Sequence, residues 1–208
     1  MTSFIKSLII EGENETVDFK NTISNCHKIA KTLVAFANNK GGVLLIGVKD
    51  DGSIKGVKDE EEERFMILKA ANQYSKPSIN ITFQEFSVDD KLVLLAKIPE
   101  SDDKPYFALD EENKWWAYIR IKDKTVLASS IILEVLKNQH IDQEIKYSIN
   151  EEKLFKYLQT TPQINLKEFT KLTRLSNKKS SKILAKLLIA GLLKSNWDGQ
   201  LETFSLAE

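Results

Sequence analysis

Lysine residues near the end of the chain recur at a spacing that could bind phosphate groups. Lys178, Lys182 and Lys186 are four residues apart, and Lys179 and Ser180 lie close to the first of them. Residues spaced by four lie on one face of an α-helix, so the pattern predicts a helix with a cationic face. Lysines give nucleic-acid binding a salt-dependent phosphate affinity and little base specificity. We predict that these four lysines and Ser180 contact nucleic acid; the alternative is a cationic helix face that is only solvated.

Short helices followed by a hairpin are predicted to position these lysines. Apolar residues at helical spacing predict helices over 151–158 and around 166–172, and a third from about 178 to 190 after the N-cap pair Ser176-Asn177. Asp198-Gly199, between two apolar segments over 192–206, predicts a β-hairpin. This is the order of a winged-helix domain, in which the helix after the turn enters the major groove of DNA. Winged helices also bind proteins, so a protein-interaction adaptor is an alternative.

The charge distribution favours the same part of the chain. The formal net charge is zero over 208 residues. Residues 151–208 nevertheless carry ten Lys/Arg and six Asp/Glu, whereas residues 1–150 carry twenty Lys/Arg and twenty-four Asp/Glu. A basic module therefore follows a mildly acidic one, and the duplex-DNA partner is expected at the basic module.

The rest of the chain alternates helix and strand patterns. Helices are predicted over 25–38, 59–74 and 127–137, and strands over 16–20, 43–48, 79–86, 92–98 and 115–121. The turn at Asp89-Asp90 joins two of the strands as a hairpin. We therefore predict an α+β fold with a mixed sheet over residues 1–140, a linker over 141–150 and the small winged helix-turn-helix domain over 151–208.

The composition argues against a membrane-spanning protein and against a protein stabilised by disulfides. No apolar run approaches the length of a membrane span, and the apolar segment Ser7–Ile10 is too short for a secretory signal. The single cysteine, Cys26, excludes an intramolecular disulfide and leaves a cysteine-based zinc site without ligands. We therefore expect a cytoplasmic protein that contacts no membrane.

Three segments in the first part of the chain carry a family resemblance. They are Glu13–Lys20 (ENETVDFK), Ala35–Val48 (AFANNKGGVLLIGV), and Asp50-Asp51-Gly52 with Gly56 behind it. Their order over roughly residues 8–138 resembles the Schlafen-type Alba-like (divergent AAA-4) DNA-binding domain. The resemblance implies a DNA-binding protein of the transcriptional-regulator kind, often with a winged helix behind the domain.

Some members of that family are endoribonucleases with three carboxylates, which here would be Glu13, Asp18 and Asp50. Carboxylates of this kind could bind Mg²⁺ or Mn²⁺ and activate water. Asp18 replaces a longer glutamate, and Lys49 directly follows the Gly-Val pair. An extended segment would also place Glu13 and Asp18 on opposite faces unless the chain bends between them. Catalysis is the alternative hypothesis; binding alone requires no cofactor.

Three further residues have two interpretations each. Lys20 and Arg120 are candidates for phosphate contact or for pairing with nearby acids. Asn38 is expected to cap its helix or to contact a ligand. We expect duplex DNA as the partner, with RNA as a second possibility. A homodimer is also expected, because the strands and exposed aromatic residues of the first domain invite pairing.

Overall fold

The computed structural model describes residues 2–139 and 147–207, and the chain divides into two compact units, Met1–Ala128 and Ser129–Glu208. In the first unit the elements are, in chain order, α1 (Thr2–Glu11), β1 (Val17–Lys20), α2 (Cys26–Asn38), β2 (Gly42–Ile46), α3 (Glu60–Gln73), β3 (Ser75–Lys76), β4 (Thr82–Val88), β5 (Lys91–Ile98), β6 (Phe107–Leu109), β7 (Trp115–Trp116), β8 (Tyr118–Ile121) and β9 (Lys124–Leu127).

A four-stranded sheet organises the first unit. Its strand order is β1-β2-β5-β4, in which β1 and β2 are parallel and the other pairs are antiparallel. The predicted α+β fold with a mixed sheet is therefore confirmed. Helix α2 connects the parallel strands, so the carboxyl ends of β1 and β2 lie at the same edge of the sheet.

Helix α2 covers one face of this sheet. Asn25 caps its first turn by accepting a hydrogen bond from the Lys28 amide. The helix packs Leu33 and Phe36 into a core that also contains sheet residues such as Leu44. At its end, Gly41 has φ +73°, and a Cβ there would lie 2.6 Å from the Ile98 carbonyl oxygen. Glycine is therefore required for both the turn and the close approach of the chain.

Helix α1 covers the opposite face and was not predicted. Ile5 is fully buried in a second core with Val17, Phe19 and Leu45. The signal was present in the sequence, since Ile5, Leu8 and Ile9 follow helical spacing.

The region after β7 also differs from prediction. The strand expected over 115–121 is divided into β7 and β8, and β8 turns back through Lys122, at φ +56°, to pair with β9. The helix expected from Leu127 therefore begins later, because Leu127 belongs to β9. Ser129 is its N-cap, and its side chain accepts a hydrogen bond from the Ile132 amide.

The second unit has the predicted element order. It contains α4 (Ser130–Asn138), α5 (Ile149–Thr160), α6 (Leu166–Thr173), α7 (Asn177–Ile189), β10 (Leu193–Trp197) and β11 (Glu202–Leu206). The two strands form an antiparallel hairpin, and Ile164 forms an isolated bridge with Phe204 of β11. Leu154, Phe169, Leu184 and Phe204 are fully buried in one core.

The boundary between the units corrects the predicted domain limits. The predicted first domain ended at residue 140, but α4 belongs to the second unit. Ile131 of α4 is buried in the core of the second unit, and Ser130 Oγ lies 3.0 Å from Ser181 Oγ of α7. Most of the predicted linker, residues 141–146, lies outside the described residues, and α5 already begins at Ile149.

None of the helices in the described ranges has the length and apolar character that a membrane span requires.

Candidate nucleic-acid interface and ion cluster

A bend in front of β1 brings Glu13 to the side of the strand. Asn14 Oδ1 accepts hydrogen bonds from the amides of Thr16 (2.8 Å) and Val17 (3.0 Å), which turns the chain sharply. Glu13 Oε1 then accepts a hydrogen bond from the Phe19 amide at 2.8 Å. The opposite-face arrangement of Glu13 and Asp18 expected for a straight strand is therefore absent, because an Asx turn intervenes.

Asp18 is buried and bound by Arg120. The two residues are only 4% and 3% exposed, and Arg120 Nη1 donates to Asp18 Oδ1 at 3.0 Å. Arg120 Nη2 donates to the Asn14 carbonyl at 2.9 Å, and the guanidinium lies 5.0 Å from the centre of the Phe36 ring. Arg120 therefore holds β1, the bend and α2 together. Of its two predicted interpretations, this contact supports pairing with a nearby acid rather than phosphate contact.

Lys20 pairs with the same carboxylate. Its ammonium lies 2.6 Å from Asp18 Oδ2 and donates to the Phe19 carbonyl at 2.7 Å. Burial raises the pKa of the Glu13 carboxyl above its ordinary value, and the charge of Asp18 adds to the rise, whereas the Phe19 amide and Lys20 oppose it. We call Glu13, Asp18, Lys20 and Arg120 the ion cluster.

Asp50 does not form a metal site with Glu13 and Asp18. It is an exposed residue of the turn from Lys49 to Ser53, in which Asp51 accepts a hydrogen bond from the Ser53 amide at 2.8 Å. Over residues 2–139 and 147–207, no three His, Cys, Asp or Glu side chains form a group that could hold one metal ion. The predicted metal set of Glu13, Asp18 and Asp50 is therefore not formed.

Asn38 does not cap α2, and its side chain is buried against the backbone of later residues. Its Nδ2 donates to the carbonyls of Tyr106 (2.9 Å) and Tyr118 (2.8 Å), and its Oδ1 accepts from the Tyr106 amide at 2.7 Å. The next residue, Asn39, exchanges hydrogen bonds with the backbone of Arg120. Both asparagines therefore bind the backbone of the later strands to the end of α2.

The predicted lysines of α7 form an exposed surface. Lys178, Lys179 and Lys182 are exposed and Lys186 is partly buried. At about 100° of rotation per residue, the four fall within about 100° of arc, opposite the buried side chain of Leu184. None of the four forms an ion pair within the part of the chain that the structure describes. We call this surface the lysine face.

Ser180 does not belong to the lysine face. Its side chain is 0% exposed, because it follows the helical period of Leu184 and Leu187 into the core. The predicted nucleic-acid contact by Ser180 is therefore wrong.

Helix α4 borders the lysine face on one side. Glu134 and Asn138 of α4 line a groove of about 140 Å³ together with Lys182, Ala185 and Lys186 of α7. A carboxylate thus lies beside two of the lysines without pairing with either within the described ranges. Sequence reasoning missed Glu134 because it assigned α4 to the other domain.

Residues 13–129 match the protein family described as Schlafen, AlbA_2. The chain belongs to the Schlafen AlbA_2 family. The matched residues contain all four members of the ion cluster, whereas α7 follows the match. The resemblance that the three segments carry is thereby confirmed for residues 13–129.

The chain is also similar to a curated protein and to two solved structures. UU034 of Ureaplasma parvum serovar 3, named an uncharacterized ATP-binding protein, is 31% identical over 115 residues, covering 46% of this chain and 32% of that protein. The N-terminal domain of a RecG-related protein from Nitrosomonas europaea has 20% identity and a TM-score of 0.45, covering 71% of this chain and 94% of that one. The DIP2311 protein of Corynebacterium diphtheriae has 15% identity and a TM-score of 0.47, covering 99% and 49%. The chain thus spans about a third of the curated relative.

Proposed function

We propose that the second unit is a winged-helix domain that binds duplex DNA, with α7 as its recognition helix. The arrangement of α5, α6, α7 and the β10–β11 hairpin supports this assignment, as does the bridge between Ile164 and Phe204. Helices α6 and α7 are separated by three residues, with Arg174 in the left-handed conformation at φ +57°. Such short turns join the two helices of a helix-turn-helix.

The observation that carries the proposal is the unpaired lysine face. A lysine that is paired with a neighbouring carboxylate attracts a phosphate less strongly. The ammonium groups of the lysine face have no ionic partner among the described residues. They lie on the side of α7 that points away from its core. A recognition helix needs this combination, because its exposed residues contact the phosphates and base edges.

The ion cluster supports a role in structure instead. Asp18 is occupied by Arg120 and Lys20, and Asp50 lies in an exposed turn. The alternative of a metal-dependent endoribonuclease therefore has less support than DNA binding.

Fluorescence anisotropy with a labelled duplex tests the proposal on the full chain. Lys182→Glu is expected to weaken binding about tenfold or more, because it removes one phosphate contact and adds a repulsive charge. Lys153→Glu is the matched control: it makes the same charge change at an exposed residue of α5. Equal affinities for the two variants would refute the assignment of α7.

Salt dependence gives a second measure. If all four lysines contact phosphates, a plot of the logarithm of the association constant against the logarithm of salt concentration has a slope of about −3.6. Lys182→Ala is expected to reduce the magnitude of that slope by about 1. An adaptor that binds no nucleic acid would show no measurable duplex affinity at low salt.

The regulator role, the cytoplasmic location and the homodimer are parts of the same proposal. Trp115 and Trp116 are 40% and 42% exposed in the first unit and give it an aromatic surface suited to pairing. Sedimentation equilibrium of the wild type and of Trp115→Ala tests the dimer. A wild type that stays monomeric at high concentration would contradict the dimer.

Competition by duplex RNA in the anisotropy assay measures whether the chain prefers DNA to RNA.

A further inference from the structure

A cavity beside the loop that joins β1 to α2 is lined by two lysines. The cavity has a volume of about 230 Å³, and we call it the lysine cavity. Its polar lining consists of Lys20, Lys28, Thr22, Ser24, Asn25 and Thr32. Two lysines and three hydroxyl-bearing residues line the cavity and none of its lining residues is acidic, a composition suited to binding an anion.

The ammonium groups of Lys20 and Lys28 differ in the contacts that they already make. Lys28 is exposed, and its ammonium has no partner in the described parts of the chain. Lys20 uses two contacts, to Asp18 and to the Phe19 carbonyl, which leaves one of its three donor hydrogens. The cavity therefore offers donors from both lysines.

An adjoining cavity has a different character. Its volume is also about 230 Å³, and we call it the mixed cavity because both lysines and carboxylates line it. Thr22 lines both cavities, so the two are neighbours.

The loop between the cavities is held in place. Glu63 of α3 is 7% exposed, accepts a hydrogen bond from the Ile23 amide at 2.8 Å and binds the Thr22 hydroxyl. Lys20 ends β1, and residues 55–58 of the mixed cavity follow β2. Both cavities therefore lie beyond the carboxyl ends of the parallel strands, where α/β sheets commonly bind ligands.

We propose that these two cavities bind a phosphate monoester, with the phosphate in the lysine cavity and its organic part in the mixed cavity. Each cavity alone is smaller than the roughly 300–1,000 Å³ typical of small-molecule sites, and the two together reach that range. This site lies in the first unit and is independent of the DNA-binding proposal.

Titration calorimetry of the full chain with adenosine monophosphate, adenosine and inorganic phosphate tests the site. Adenosine monophosphate is expected to bind with a Kd of about 1 mM or tighter, and adenosine much more weakly. Lys28→Ala is expected to weaken binding by about tenfold. Lys40→Ala, an exposed lysine beyond the other end of α2, is the matched control and should bind as the wild type does.

Two results would overturn the proposal. One is the absence of saturable binding of adenosine monophosphate to the wild type; the other is equal binding by Lys28→Ala and Lys40→Ala. The source of the phosphate is identified by competition with short oligonucleotides. Competition that requires a terminal phosphate would support the monoester site with a nucleic-acid end as its source. Equal competition by oligonucleotides with a terminal hydroxyl would show that internal phosphodiesters bind, which contradicts the monoester assignment.

Discussion

The ion cluster and the lysine face use the same types of charge in opposite ways. In the ion cluster, Arg120 and Asp18 are almost completely buried and bind each other, so little of their charge reaches solvent. On the lysine face, the ammonium groups of α7 are exposed and lack ionic partners within the described residues. A buried pair fixes neighbouring segments, whereas an unpaired exposed cation is available to a ligand.

The comparison separates two measurable properties. Substitutions in the ion cluster should lower the free energy of unfolding of the first unit without a direct effect on DNA affinity. Substitutions on the lysine face should change DNA affinity and leave stability within about 0.5 kcal/mol, because they lie on a surface without partners.

Arg120→Met gives the largest expected effect. It leaves the buried Asp18 carboxylate with Lys20 alone and removes the donor to the Asn14 carbonyl. Breaking a buried ion pair typically costs about 3–5 kcal/mol, and we expect a loss of about 3 kcal/mol because Lys20 remains. Urea unfolding in a Trp197→Phe background measures it, since Trp115 and Trp116 then report on the first unit alone.

Arg64→Met is the control for that substitution. Arg64 also pairs with a carboxylate, Glu85, but the side chains are 28% and 50% exposed. Exposed pairs contribute about 0–1 kcal/mol, so the control should lose far less stability. Equal losses in the two variants would mean that burial does not distinguish the ion cluster from a surface pair.

Asn38→Ala is expected to have the next largest effect. The substitution leaves the Tyr106 amide and the carbonyls of Tyr106 and Tyr118 without their partner. Since an unsatisfied buried polar group costs about 1–3 kcal/mol, we expect a loss of about 2–3 kcal/mol in the same urea assay. Asn80→Ala, at an exposed residue, should change stability by less than about 0.5 kcal/mol. A loss at Asn38 no larger than at Asn80 would refute the bridging role.

Arg120→Met and Asn38→Ala remove contacts that the sequence alone does not predict. The helical period of α2 and the apolar run of β2 were visible in the sequence, and both elements formed as expected. The partners Asp18 and Arg120 are 102 residues apart, and Asn38 and Tyr118 are 80 apart. No local pattern encodes such pairs, because they depend on how the strands assemble.

The candidate site in the second unit was more predictable for the same reason. The lysine face arises within one helix, so its spacing alone placed Lys178, Lys182 and Lys186 together. Ser180 shows that a residue in the first turn of a helix is not always exposed. It lies on the same face of α7 as the buried residues Leu184 and Leu187. Glu134 needed tertiary information, because α4 packs on α7 from outside the predicted domain.

Glu13→Gln tests the ion cluster through pH. The pKa of Glu13 is raised in the folded state above its ordinary value of 4.5, chiefly by burial. When folding raises the pKa of a carboxyl, that carboxyl does not destabilise the protein at a pH below its unfolded-state pKa. Its destabilising effect grows as pH rises from the unfolded-state pKa through the folded-state pKa. The stability of Glu13→Gln relative to the wild type should therefore increase between about pH 4 and pH 7. Urea midpoints that change in parallel for both proteins would contradict the raised pKa.

Glu134→Gln is expected to give the smallest effect and tests the lysine face. Glu134 lines the groove beside Lys182 and Lys186, so its carboxylate lowers the positive potential that a DNA phosphate meets. Removing the charge should raise duplex affinity about twofold to threefold at low salt, and the gain should shrink as ions screen the interaction beyond about 10 Å at 0.1 M. Glu152→Gln makes the same change in net charge on α5, where Glu152 pairs with Lys156 at 2.8 Å. If both variants bind DNA equally well, the gain reflects net charge alone. If only Glu134→Gln gains affinity, α4 limits how strongly the lysine face attracts DNA.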